Sequence, residues 1–355
     1  MRYKDDWESA QKRLAAWWDR EVIDRVCIQV TAPRSGVKRR AIPAPATIEE
    51  RWTDLDYVVE RQAEDIRCTY YGGEAFPLFN PNLGPDIFAA CLGAPVTFAE
   101  DTSWVDPIIK AWDPAPRLVL DKQNPWWLLQ MELLARAQEA GRDKWITGIP
   151  DTHSGGDALS ALRGRQELCY DLVDHEDAVR VAMTQLEPIV LEMYEEFYPA
   201  VDWAQVGSSS GWLPTWSAGR SNVIQCDFIA LISPQMFEKH FLHELATQAA
   251  WLDRTIYHLD GPGCIRHLEL LLSIPQIRAI QWVPGAGAPP MPHWISLLKR
   301  IQRAGRGLHL QTEPEHVETL LRELSPKGLM LNVAVASQEQ AEDLIGYVSR
   351  WTAGD

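Results

Sequence analysis

The second half of the chain alternates between short β-branched or aromatic runs and intervals long enough for one helix. That alternation limits the fold more than any other feature. The runs fall at 255–260, 279–283, 307–311 and 328–334, and turn sequences such as Gly261-Pro262-Gly263 and Thr312-Glu313-Pro314 end them. Residues 292–304 and 314–324 read as helices between runs, and 337–351 reads as a last helix. Parallel strands need such crossovers. Earlier segments extend the pattern, with strands expected at 25–31, 144–149 and 201–206 and helices at 47–68, 125–140 and 175–199. Ser233-Pro234 supplies an N-cap and a first helical residue for another helix, running to about Asp253. About eight strands alternating with helices predict an α/β fold, a (β/α)8 TIM barrel.

Two segments stand outside the alternation. Residues 6–25 carry Trp7, Leu14, Trp17, Trp18 and Val22 among charges and read as an N-terminal helical extension. Residues 93–125 are rich in Pro, Trp and Asp and read as an irregular insertion with a small antiparallel hairpin. The expected organisation is an extension over 1–25 and a single barrel domain over 26–355.

Composition excludes several classes of function. A net charge of -15 argues against nucleic acid, since a phosphate backbone needs a clustered positive field, and Lys38-Arg39-Arg40 reads as a solvated loop. No stretch has signal-peptide character or the apolar length to span a bilayer, so the expected location is cytoplasmic. Cysteines 27, 68, 91, 169, 226 and 264 form no Cys-x-x-Cys pair and read as reduced, mostly buried thiols. The sixteen tryptophans are in the main core fillers, although exposed indole faces would also bind a quaternary ammonium.

Reactive groups of parallel barrels stand at the C-terminal ends of strands. His258 and Asp260 end one run two residues apart, so both can point to one face and meet the same small molecule. Turn formation is the competing explanation for that pair. Asp151, His153, Tyr257, Gln281, Trp282 and Glu313 fall on or beside the same rim, and the loop 207–216 presents Trp212 and Trp216. Asp157 reads as a cap for a helix over 158–163.

From Asp151 to the C-terminus the chain resembles the uroporphyrinogen decarboxylase superfamily, which also holds the zinc-dependent corrinoid:thiol methyltransferases. The resemblance rests on residues 155–164, Asp227 with 231–237, Tyr257-His258-Leu259-Asp260-Gly261, 279–287 and the run beginning at Gly328. It implies a barrel that pairs as a homodimer. The methyltransferase branch holds zinc with a His-x-Cys pair and a later cysteine. Here His258 matches, Asp260 replaces the first cysteine, and the last strand has none. Oxygen also ligates zinc, so the resemblance leaves His258 and Asp260 as metal ligands, to be completed by Cys226, Cys264 or Glu313. The decarboxylase branch carries an arginine-rich clamp for a polycarboxylate. Arg61-Gln62-Ala63-Glu64 begins like it but lacks the Gly-Arg continuation, so porphyrinogen decarboxylation is not expected.

Three readings follow. The first is metal-assisted methyl transfer, with zinc, involving a corrinoid protein or a small methylated substrate that Trp212, Trp216 and Trp282 would enclose. The second is a metal-free decarboxylase or lyase in which Asp260 stabilises a developing cation and His258 moves the proton. The third is a non-catalytic barrel that binds a ligand or a corrinoid protein.

Overall fold

The computed structural model describes residues 1–353. Its strands are β1 (Cys27–Pro33), β2 (Thr69–Gly73), β3 (Leu78–Phe79), β4 (Val96–Phe98), β5 (Ser103–Val105), β6 (Ile146–Thr147), β7 (Ser221–Ile224), β8 (Arg254–Asp260), β9 (Ile277–Val283), β10 (Gly307–Gln311) and β11 (Leu329–Ala334). Seven of them form one sheet in the order β2-β1-β11-β10-β9-β8-β7, parallel throughout except for the antiparallel pair β1–β2. Helices fill the crossovers, so the protein is a mixed α/β structure with a mostly parallel central sheet. Among the described residues no helix is long and apolar enough to cross a membrane.

The sheet is not closed, so the expected α/β fold with a mostly parallel sheet is met but a complete (β/α)8 TIM barrel is not. β3 and β6 pair only with each other, through two residues each. A single parallel bridge joins Ile149 to Ser210, and the Ser208 hydroxyl accepts from Ser221 N–H at the start of β7. A Cβ on Gly148 would fall 2.2 Å from Cα of Gly211, so the two backbones approach more closely than a side chain at either position allows.

Other boundaries also moved. Residues 203–206 form one helical turn, Trp203–Val206, rather than a strand. Three apolar residues in four fit either period over so short a run, and the left-handed Asp202 (φ 54°) starts a new turn directly after helix Glu176–Ala200. The helix expected over 47–68 breaks at Asp54, whose carboxylate caps the second half, while Thr47 and Glu50 form the capping box at the first. The antiparallel hairpin expected in the insertion is β4–β5.

Strand register sorts the side chains into two faces. Tyr257, Leu259, Ile280, Trp282, Leu308, Leu310, Leu329 and Leu331 join the large core cluster shared with the crossover helices. The opposite face carries Ile256 beside Ala279, and then His258, Gln281, His309, Met330 and Cys27 in one row across β8, β9, β10, β11 and β1. Helix Trp7–Trp18 covers the strand-start end of this face: Leu14, Trp17 and Trp18 pack with Cys27, Ile256, Ala279 and Met330, and Trp17 Nε1 donates to the Gly328 carbonyl at 2.9 Å. An apolar plug at one end leaves the polar row toward the other, where the strands finish.

Candidate metal centre

Three side chains converge at the ends of β7 and β8. Along β8, His258 and Asp260 alternate with Leu259, which is wholly buried in the core, so the two polar groups share the inner face. Asp227 opens the 3-10 turn Asp227–Leu231 beyond β7. A ligand nitrogen of His258 and carboxylate oxygens of Asp227 and Asp260 all lie within 4.8 Å of one another, and all three residues are half-buried.

The imidazole is held on two sides. His258 Nδ1 lies 2.7 Å from Oε1 of Gln281, its register partner on β9. Trp212 meets the same ring edge-on, with centroids 5.2 Å apart. Burial and the neighbouring Asp157 push the Asp227 carboxyl up to about 6, although His258 and His153 pull it back. Such a shift marks a carboxylate that gains from a cation beside it. One imidazole and two carboxylates without a thiolate form a donor set of borderline to hard character, which fits zinc or a comparable divalent ion.

Beside the triad lies a cavity of about 220 Å³ whose wall includes Asp86, His153, Asp157, Arg165, Asp227 and Phe228. His153 stands at φ 33°, with Nε2 3.6 Å from Asp151 and Nδ1 3.9 Å from Asp86. Burial pulls its pKa down, but Asp151, Asp157, Asp227 and Asp86 outweigh that and leave it raised. Gln225 donates to Asp151 at 3.1 Å.

The loop carrying these groups rests on a buried polar network. Ser154 Oγ donates to Glu244 Oε1 at 3.1 Å, Gln248 Nε2 donates to the same oxygen at 2.6 Å, and Tyr194 donates to Gln248 at 2.8 Å. Burial raises the Glu244 carboxyl to about 8. Gly155 is required at this contact: its φ is +59°, and a Cβ would collide with the Glu244 carboxyl group.

The remaining residues singled out from the sequence lie elsewhere. Cys226 and Cys264 are buried, burial pushes the first thiol well up and the second to about 12, and neither belongs to the triad. Glu313, beyond β10, has a side chain 62% exposed and lies 3.9 Å from His316. The three indoles do not share one cleft. Trp282 is 0% exposed on the helix-facing side and packs on Trp294. Trp216 is buried against Trp7 and donates through Nε1 to Val206 O. Only Trp212 of the three contacts a triad residue by ring packing. Tyr257 is also buried on the core side.

Asp227 is the triad member that the sequence offers only as a landmark of the resemblance, because β7 is four residues long and shows no clear period. Recognising 221–224 as a strand would have put Asp227 on the same rim as Asp260.

No family model matches the chain, and no curated protein matches it in sequence. Among solved structures it is similar to a methyltransferase from Methanosarcina mazei, with a TM-score of 0.58 and 12% identity over 96% of this chain and 98% of the other. At that identity the likeness is one of fold.

Proposed function

We propose that the protein is a metal-assisted methyltransferase, with Asp227, His258 and Asp260 holding a divalent ion such as zinc and a small methylated compound or a corrinoid protein supplying the methyl group. The observation that carries the reading is the convergence of those three donors at the strand ends of a fold like that of a methyltransferase. When bound, the ion would supply Lewis-acid chemistry that makes a thiol nucleophilic near neutral pH; the sulfur would take the methyl group, its proton passing to solvent and the electron pair of the broken bond staying on the donor's cobalt or nitrogen.

The chain's own groups have separable parts in this scheme. Two carboxylates neutralise a divalent charge and leave the imidazole as the neutral donor. Trp212 shields one side of His258 from water. The cavity walled by Asp86, His153 and Asp157 opens beside Asp227 and offers room for a small substrate next to the ion.

The test is methyl transfer to a simple thiol by zinc-loaded protein, with methylcobalamin and di- and trimethylamine as donors and the methyl thioether read by NMR. Turnover by the wild type that disappears in His258→Ala is the expected result. Metal-loaded protein that yields no thioether from any of these donors overturns methyl transfer.

A second reading is favoured by one observation. A carboxyl raised to about 6, as in Asp227 beside His258, is suited to general acid work without any metal. On that reading the reaction is a decarboxylation or elimination on a small carboxylate, with His258 moving the proton and Asp260 stabilising positive charge. Protein that turns over equally well after exhaustive chelation would favour it.

A further inference from the structure

We infer that Gln281 is a positioning residue that fixes the tautomer of His258, so that Nδ1 carries the proton and Nε2 is the nitrogen free to hold an ion together with Asp227 and Asp260.

The geometry leaves little choice of partner. Gln281 is 4% exposed, on β9 directly across from His258, and its Oε1 stands 2.7 Å from Nδ1. That distance is at the short end of the N–H···O range, as expected for a carbonyl oxygen accepting from a ring N–H. With Nδ1 occupied, Nε2 is the nitrogen left for the group shared with the two carboxylates. Trp212, packed edge-on at 5.2 Å, restricts rotation of the ring about its own bond.

Chemistry explains why an amide is placed here. A neutral imidazole has one donor and one acceptor nitrogen, and the hydrogen bond at one decides the role of the other. In water the Nε2–H form is ordinarily the more populated, and it would turn a donor toward a divalent ion. An acceptor beside Nδ1 favours the other form, against the pull of the two carboxylates on a proton at Nε2. A buried polar side chain costs desolvation that an apolar residue avoids, and its neighbours on the same face of β9, Ala279 and Val283, are apolar. The amide at 281 therefore has a local task, and holding His258 is the task the contacts display.

Only the second half of this inference rests on the metal-holding reading, because the tautomer exists in the metal-free protein. Long-range proton–nitrogen NMR correlations of metal-free, histidine-labelled protein read it directly. The expected result is His258 protonated at Nδ1 in the wild type, a shift toward the Nε2–H form in Gln281→Leu, and recovery of Nδ1–H in Gln281→Glu, whose carboxylate also accepts. Zinc titration then extends the test: loss of such a partner lowers metal affinity by about 10–100-fold, and Gln281→Glu restores most of it. His258 found as the Nε2–H tautomer in the wild type overturns the inference, and this measurement needs no variant to fold. Zinc affinity unchanged in a folded Gln281→Leu protein overturns the positioning role. A wild type that binds no zinc yet shows Nδ1–H refutes the metal reading and leaves the tautomer assignment standing.

Discussion

Asp157 accepts the backbone N–H of Asp227 at 2.9 Å on one carboxylate oxygen and that of Phe228 at 2.8 Å on the other. Helix Gly155–Arg163 thereby holds the turn that follows β7 by its amides, which sets where the Asp227 side chain starts. Asp157→Ala should unfold about 3 kcal/mol more easily, since it removes two hydrogen bonds to a charged acceptor and leaves amides unpaired. It should also weaken zinc binding at least tenfold. Urea denaturation and calorimetric titration of the same preparation check both. A variant that loses stability but binds zinc normally would separate Asp157 from the site.

Glu244 makes a prediction about pH. Its carboxyl is raised to about 8 in the folded protein from an ordinary 4.5, so between those values the folded state keeps a proton that the unfolded chain has released. Stability should then fall as pH rises across that window, by up to ~1.4 kcal/mol per unit from this group, and level off above it. Glu244→Gln keeps an oxygen for Ser154 and Gln248 but cannot ionise. Denaturation free energies from pH 5 to 8 should show a flatter profile in the variant than in the wild type, and parallel profiles would contradict the assignment.

Trp212 and Trp216 should part company on substitution. Trp216 is buried between Trp7 and the Val206 carbonyl, so Trp216→Ala should cost about 3–5 kcal/mol of stability. Trp212→Ala should cost much less and act on the His258 ring instead. Thermal unfolding together with the His258 NMR signals distinguishes them. If Trp216→Ala proved mild while Trp212→Ala unfolded the protein, their places in the fold would be reversed.

The buried thiols should be silent. Cys226 and Cys264 sit in the core with burial holding them protonated, so neither should react with a thiol reagent at pH 8 until denaturant is added. A Cys226→Ala, Cys264→Ala protein should bind zinc as the wild type does. Loss of zinc from that protein would bring a thiolate back into the ligand set.

Several of these features were legible in the sequence because local chemistry decided them. The strand at 307–311 has the same bounds in the fold, and Ser233 caps the helix that Pro234 begins. His258 and Asp260 share a face because strand period is two. The open sheet and the place of Asp227 beside His258 and Asp260 were less legible because they depend on contacts between distant segments. Gly148 meeting Gly211, and Asp157 reaching across to the amides of 227 and 228, leave no periodic trace in the chain. The indoles divide between the two cases. Trp282 follows Gln281 on β9, so the period of two turns it to the core, whereas Trp216 is buried through contacts with the distant Trp7 and with Val206.

The most direct test of a metal centre is a zinc titration of chelator-stripped protein, wild type against an Asp227→Asn, His258→Ala, Asp260→Asn triple variant, with unfolding curves to verify that both are folded. One ion per chain in the wild type, with affinity reduced at least a hundredfold in the triple variant, is the predicted result. Absence of stoichiometric binding in the wild type, or equal binding in the two proteins, would contradict it.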